Sequence, residues 1–243
     1  MALFNSFTFD GVNSLENGIY ITGAVYNSPE RAVEMYPIQG RNGALSLDLG
    51  RFENISVVYS CGCFKSEQTA FAGLIRAFRN ELSSRRSYCR LTDTYHTDEF
   101  RQALFYSGIE VEPFRNRAGE FEITFDCKPQ RFLTSGESYT TYGKNSTITN
   151  PTKFEARPLI KVTGYGTVNI GSTTITITGT SGVVTYIDCD LMDCYRMSGG
   201  AVISANSAVT FSGSDFPTLG ATTGVNYSGN VTKVEIMPRW WVV

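Results

Sequence analysis

The chain has 243 residues, a formal net charge of −2 and a pI near 5.6. That is enough material for one or two domains with substantial cores, and it offers neither the basic field of a nucleic-acid grip nor a strongly acidic one. With 42% hydrophobic and 13% aromatic residues the composition is that of an ordinary globular protein, with no apolar run long enough to span a membrane as a helix. The start, Met1-Ala2-Leu3-Phe4-Asn5-Ser6-Phe7, alternates like a strand rather than reading as a leader, so folding is expected in the cytosol where the chain is made. Its six cysteines, Cys61, Cys63, Cys89, Cys127, Cys189 and Cys194, are then expected to be free thiols acting as small buried hydrophobes.

Leu3 to Phe9 reads as a first strand closed by Asp10-Gly11, and Ile19 to Tyr26 as the next. Arg31 to Gln39 and Ala44 to Leu49 flank Gly40-Arg41-Asn42-Gly43, where Asn-Gly is expected to supply the positive φ angles of a tight hairpin turn. Ile55 to Phe64 is a long strand. Phe71, Leu74, Ile75, Phe78 and Leu82 recur at helical spacing after Ser66, a fair N-cap, while Arg76, Arg79 and Glu81 take the other face. This predicts one amphipathic helix over about 66–84 whose apolar stripe is core. Tyr88 to Thr94 and Glu120 to Cys127 are predicted strands.

The character of the chain changes near Arg131. Up to that residue there are 14 Lys/Arg and 16 Asp/Glu, and beyond it only 7 of each in 112 residues, of which 43 are Ser, Thr or Gly. The boundary is placed between Arg131 and Tyr142, giving domains 1–133 and 134–243, with Ser135-Gly136-Glu137-Ser138 as the crossing. Leu159 to Val162, Thr167 to Ile170, Thr173 to Thr178, Val183 to Asp188 and Val231 to Met237 are predicted as short strands of an all-β sandwich, separated by Gly-rich turns. The fold class is therefore mainly β: a β-rich first domain with one helix and an all-β second. The last predicted strand runs into Pro238-Arg239-Trp240-Trp241, which places the only two tryptophans side by side at a chain end. Neighbouring residues on a strand point to opposite faces, so one ring is expected in the core and the other against a loop, a second domain or another protein.

No catalytic, cofactor or metal constellation is expected. There is no phosphate-binding loop, and Gly164-Tyr165-Gly166 lacks the third glycine and helix of a dinucleotide site. His96, the only histidine, has Asp93, Asp98 and Glu99 nearby in what reads as a solvated loop. Asp188, Asp190 and Asp193 admit a calcium site or, through Asp188 and Asp190, glycan hydrolysis, but their spacing fits no such motif, and exposed carboxylates at a strand end are the preferred reading. Tyr139, Tyr142, Tyr165 and Tyr227 leave open a surface that binds carbohydrate.

Several segments together resemble the distal tail proteins of long-tailed bacteriophages, the Dit family. They are Phe7-Thr8-Phe9-Asp10-Gly11-Val12 with Ile19-Tyr20-Ile21, then Ile38-Gln39-Gly40-Arg41-Asn42-Gly43, Asp48-Leu49-Gly50-Arg51-Phe52-Glu53-Asn54, Gly119-Glu120-Phe121 to Phe125 with Lys128-Pro129, and the terminal Pro-Arg-Trp-Trp. The resemblance implies a structural virion protein, made in the host cytoplasm, that forms a ring, commonly a hexamer, at the far end of the tail. It implies a ring-forming first domain and a galectin-like second domain, with the tail tube, the tail-tip hub and the receptor-binding protein as partners. DNA would pass the ring without specific binding, and no membrane insertion is expected. Candidate ring contacts are Gly40, Arg41, Asn42, Gly43, Arg51 and Phe52; the candidate C-terminal anchor is Pro238, Arg239, Trp240 and Trp241. The alternative from another class is a carbohydrate-binding module that attaches the tail to cell-surface glycan.

Overall fold

A computed structural model describes residues 4–65, 68–114, 118–213 and 215–243, and antiparallel strands dominate it. By its internal contacts the chain divides into two units, Met1–Arg131 with Val243, and Phe132–Val242.

In the first unit, Asp10 and Gly11 both take positive φ (48° and 81°), as a two-residue hairpin turn requires, and reverse β1 (Phe7–Phe9) into β2 (Val12–Asn13). The predicted strand start at Leu3 lies outside the described residues. The chain continues through β3 (Ile19–Tyr26), β4 (Arg31–Pro37), β5 (Ala44–Phe52) and β6 (Ile55–Phe64) to the helix α1 (Gln68–Ser83). After the helix come β7 (Cys89–Asp93), β8 (Glu99–Leu104), β9 (Val111–Phe114) and β10 (Ala118–Leu133). The main sheet has the order β2-β1-β7-β8-β10-β6-β3, with β9 also paired to β10. Among the described residues, strands β4 and β5 pair only with each other.

Period-2 alternation along β6 and β10 turns Val57, Tyr59, Cys61, Phe121, Ile123 and Phe125 to one buried side. Against this side pack Phe71, Phe78 and Leu82 of α1, the positions the helical spacing selects, with Leu74 and Ile75 half-buried beside them and Arg76, Arg79 and Glu81 exposed. Ser66, the expected N-cap, lies outside the described residues. An aromatic nucleus joins the pieces: Phe7 stacks on Tyr59 (5.1 Å between centroids, 9°) and meets Phe125 edge-on at 5.4 Å.

The second unit contains β11 (Thr140–Tyr142), β12 (Ser146–Thr149), β13 (Leu159–Ile170), β14 (Thr173–Ile177), β15 (Val184–Asp188) and β16 (Asp193–Ser198). Strands β17 (Ala201–Ser204), β18 (Val209–Phe211), β19 (Thr222–Met237) and β20 (Trp241–Val242) complete it. The sheet order is β11-β19-β13-β15-β16-β17, with β12 on β19 and β14 bridging β13 to β18.

Here the structure corrects the sequence reading. Leu159 to Val162 and Thr167 to Ile170 are not two strands separated by a Gly-rich turn but the two halves of one, β13, which runs beside β19 through a bulge at Thr163/Gly164. Gly164 and Gly166 have φ of 100° and 138°, and a Cβ on either would lie 2.1 Å from the Asn230 carbonyl oxygen or 2.4 Å from that of Ser228. These glycines let two backbones touch, where a turn would separate them. The first half of β13 pairs with β15 and the second with β14, and residues from both halves, including Ile160, Val162, Val168 and Ile170, enter a single core.

Candidate functional site

The β4–β5 hairpin stands out because the main sheet of its unit does not include it. Its cross-strand pairs, Glu34 with Leu47 and Tyr36 with Leu45, put Tyr36, Leu45, Leu47 and Leu49 along one face; Val33, Met35, Pro37 and Ala44 lie on the other. Both faces are exposed: Leu45 is 58% and Met35 65% accessible, and Val33, Tyr36, Ile38, Leu47 and Leu49 are exposed as well. An isolated two-stranded ribbon is marginal in water, and single scattered apolar residues would not be notable, but seven large ones on one arm form a contiguous sticky element.

Charges organise the root of the arm. Arg31 pairs with Asp48 and lies over the Phe52 ring at 5.0 Å, and Arg51 pairs with Glu53 at 2.8 Å. The Asp48 carboxyl is held below its usual range, first by the Gly50 N–H and then by Arg31. At the tip the expectation of a tight Asn-Gly turn is overturned. Six residues, 38–43, connect the strands; positive φ falls on Gly40 (77°) and Gly43 (85°), and the Arg41 N–H closes back on the Ile38 carbonyl at 3.2 Å. Gly40, Arg41, Asn42 and Gly43 therefore lie at one end of the hairpin, and Arg51 and Phe52 at the other. The structure does not gather them into one patch, and the exposed leucines between them escaped the sequence reading. Alternation of leucine with small and polar residues, Ala44-Leu45-Ser46-Leu47-Asp48-Leu49, was the available signal, but it reads equally as a half-buried strand.

The C-terminal segment is anchored inside the second unit. Pro238 is buried, and Arg239 adopts φ 57° while its N–H donates to the Gly136 carbonyl (2.9 Å). A Cβ on Gly136 would sit 2.5 Å from the Trp240 nitrogen, so only glycine admits this crossing. Trp240 is 7% exposed in the core, and its carbonyl accepts the Leu133 N–H at 2.8 Å. Trp241 is half-buried, stacks on Phe154 (4.5 Å, 25°) and donates its Nε1–H to the Glu155 carbonyl at 2.9 Å.

The guanidinium of Arg239 grips Asp188 through two hydrogen bonds, Nη1 to Oδ1 at 2.7 Å and Nη2 to Oδ2 at 2.9 Å. Asp188 is thus not an exposed strand-end carboxylate, as the sequence reading had it, but 3% accessible, its Oδ1 also accepting the N–H groups of Asp190 and Leu191. Burial pushes its carboxyl up; Arg239 and these backbone donors outweigh that and hold it below the usual value. Asp190 is exposed in the following turn, and Asp193 accepts a hydrogen bond from Asn206 (2.8 Å). Asp188 is spent on the arginine, so these residues do not form a pair of free acids.

His96 lies, as expected, in a largely exposed loop between β7 and β8, where Thr94, Tyr95, Thr97 and Asp98 are all exposed, but the carboxylate at the root of that loop is buried. Glu99 begins strand β8, and the Asp93 side chain, 6% exposed, accepts the hydroxyls of Tyr59 (2.8 Å) and Tyr26 (3.0 Å) and the N–H groups of Tyr95 and His96. Two tyrosines and an Asx turn satisfy a carboxylate that burial would otherwise penalise. All six cysteines are free and five are buried; burial pushes the thiols of Cys61, Cys127 and Cys194 up to about 12, which keeps them protonated and unreactive. Tyr139 is 37% exposed with Lys161 over its ring at 5.6 Å, and Lys144 lies over Tyr227 at 5.4 Å. Tyr142 packs against the second core, and Tyr165 lies on β13 just past the bulge, paired with Asn230.

No family model matches the chain, and no curated protein matches it by sequence. Solved structures do match. The SPP1 Dit protein, described as a paradigm of the hub adsorption apparatus in phages infecting Gram-positive bacteria, superposes with a TM-score of 0.73 at 13% identity over 98% of this chain and 99% of that one. A chain of the phage P2 baseplate in its activated conformation with Ca aligns with a TM-score of 0.56 at 9% identity over 97% of both chains. The same baseplate with Sr gives 0.56, 9% and 96%. Over essentially its whole length, then, this chain has the fold of the phage distal tail protein Dit.

Proposed function

We propose that this chain is a structural virion component, a distal tail protein whose copies close into a hexameric ring at the far end of a phage tail. The ring joins the tail tube to the tail-tip hub and receptor-binding apparatus and leaves a channel for DNA. Residues 1–133 form the ring and residues 134–243 a peripheral galectin-like domain. The observation that carries this reading is the β4–β5 arm, two apolar faces with no partner sheet in a chain that otherwise shares its fold with a tail hub protein from end to end. A closed ring needs two different surfaces per subunit, and a projecting arm that lies on a neighbour supplies one of them. The mild net charge of −2 suits a channel that passes DNA without holding it.

Native mass spectrometry of the purified protein at tens of micromolar is the direct test, with a six-copy species expected. A monomer that stays monomeric when tail-tube and hub proteins are added would overturn the reading. The double variant Leu45→Glu/Leu47→Glu is expected to abolish the ring while leaving the melting temperature of the subunit unchanged, because both side chains are exposed.

A further inference from the structure

The main sheet of the first unit has two sides, and α1 packs on one of them. On the other, period-2 alternation brings Tyr20 and Val25 of β3, Val58 and Phe64 of β6, and Glu120 and Glu122 of β10 outward. Much of this side is apolar and open: Phe64 is 64% and Val25 57% accessible, and Val58 is half-buried. Its middle is flat. Gly62 has no side chain, and the Tyr20 ring lies so close across it that a Cβ there would come within 2.8 Å of the ring; Phe4, itself exposed, leans on Tyr20 at 5.0 Å. The result is a smooth aromatic and aliphatic floor that another chain can cover.

The charges select the occupant. Glu120 and Glu122 are exposed, successive outward residues of β10, about 7 Å apart along the strand. Neither has a cation paired with it among the described residues, so the two carboxylates repel each other until one is brought to them. On the β4–β5 arm the balance is reversed. Arg31 and Arg51 are spent on Asp48 and Glu53, whereas Arg41, exposed in the tip loop, has no carboxylate partner among the described residues. Lengths agree as well: from Val58 to Phe64 the sheet face runs about 20 Å, and the arm from Ala44 to Leu49 about 17 Å.

We infer that this outer face of β3, β6 and β10 receives the arm of a second copy of the chain, with Leu45 and Leu47 laid on the floor and Arg41 set between Glu120 and Glu122. The inference rests on the ring reading and supplies its second surface, since each subunit then offers an arm to one neighbour and a sheet face to the other. Charge reversal tests it. Arg41→Glu, and separately Glu120→Arg/Glu122→Arg, are each expected to lower the six-copy species in native mass spectrometry at least tenfold with the melting temperature unchanged, because all three side chains are exposed. An equimolar mixture of the two variants should restore it as a ring of three copies of each, because every junction in an alternating ring then pairs opposite charges. Should the double reversal fail to fold, Glu122→Arg alone takes its place. If the wild type forms rings while either folded variant does so equally well by itself, or while the mixture stays monomeric, the docking inference is overturned and the ring reading stands. A wild type that remains monomeric with tail-tube and hub proteins present overturns both.

Discussion

Arg239 occupies the left-handed backbone region, which non-glycine residues adopt at a cost. What holds it there is visible on both sides: its guanidinium is fixed on Asp188, and the next residue puts the Trp240 ring into the core. The adjacent tryptophans therefore have unequal jobs. Trp240→Ala is expected to destabilise the second unit by about 3–5 kcal/mol. Trp241→Ala removes a stack and one hydrogen bond at a half-exposed site and should cost only about 1–2 kcal/mol. Thermal or denaturant unfolding distinguishes the two, and equal losses would contradict the division. The Asp188–Arg239 pair adds a pH dependence. Because the folded carboxyl is held below its unfolded value, its stabilisation is complete above the unfolded value of about 3.9 and is lost as pH falls through the lower folded value. Asp188→Asn should cost about 2–3 kcal/mol at neutral pH, discounted because a quarter of the Arg239 side chain is exposed, and should flatten the acid limb of a stability–pH profile.

Elements whose burial follows their own periodicity were legible in the sequence. The helix stripe Phe71, Phe78, Leu82, the alternation of β6 and β10, and the reversal at Asp10-Gly11 all appear where the residues point. Glycine was ambiguous, since it marks turns and close backbone contact alike; at Gly164 and Gly166 the second meaning holds, and only the pairing with β19, some 65 residues away in sequence, decides it. Gly164→Ala is expected to destabilise by more than about 1 kcal/mol, measured by urea unfolding, since it combines positive φ with a collision against the Asn230 carbonyl. Of the candidate assembly residues, Gly40 to Gly43 were legible as a chain reversal, though not as the tight turn expected, while Arg51 and Phe52 came only from the resemblance. The leucines between them were not, because an apolar strand looks the same in sequence whether its partner is its own core or another molecule. Asp188 and Arg239 are 51 residues apart, and no local pattern announces such a pair.

At the scale of the molecule, two cores that share no residue sit in two units of different composition, the first charged and carrying α1, the second rich in Ser, Thr and Gly. The same division allots the chromophores: both tryptophans belong to Phe132–Val242, and α1 belongs to Met1–Arg131. Phe78→Ala, which opens a cavity beneath the helix, should lower the melting midpoint read from the helical circular-dichroism signal, by a loss of about 3–5 kcal/mol. If the units unfold as separate cooperative blocks, the midpoint read from indole emission stays where it was. The placement of Trp240 and Trp241 thus gives the protein an intrinsic fluorescent label on one unit only, through which the melting of the two halves can be resolved without attaching a dye.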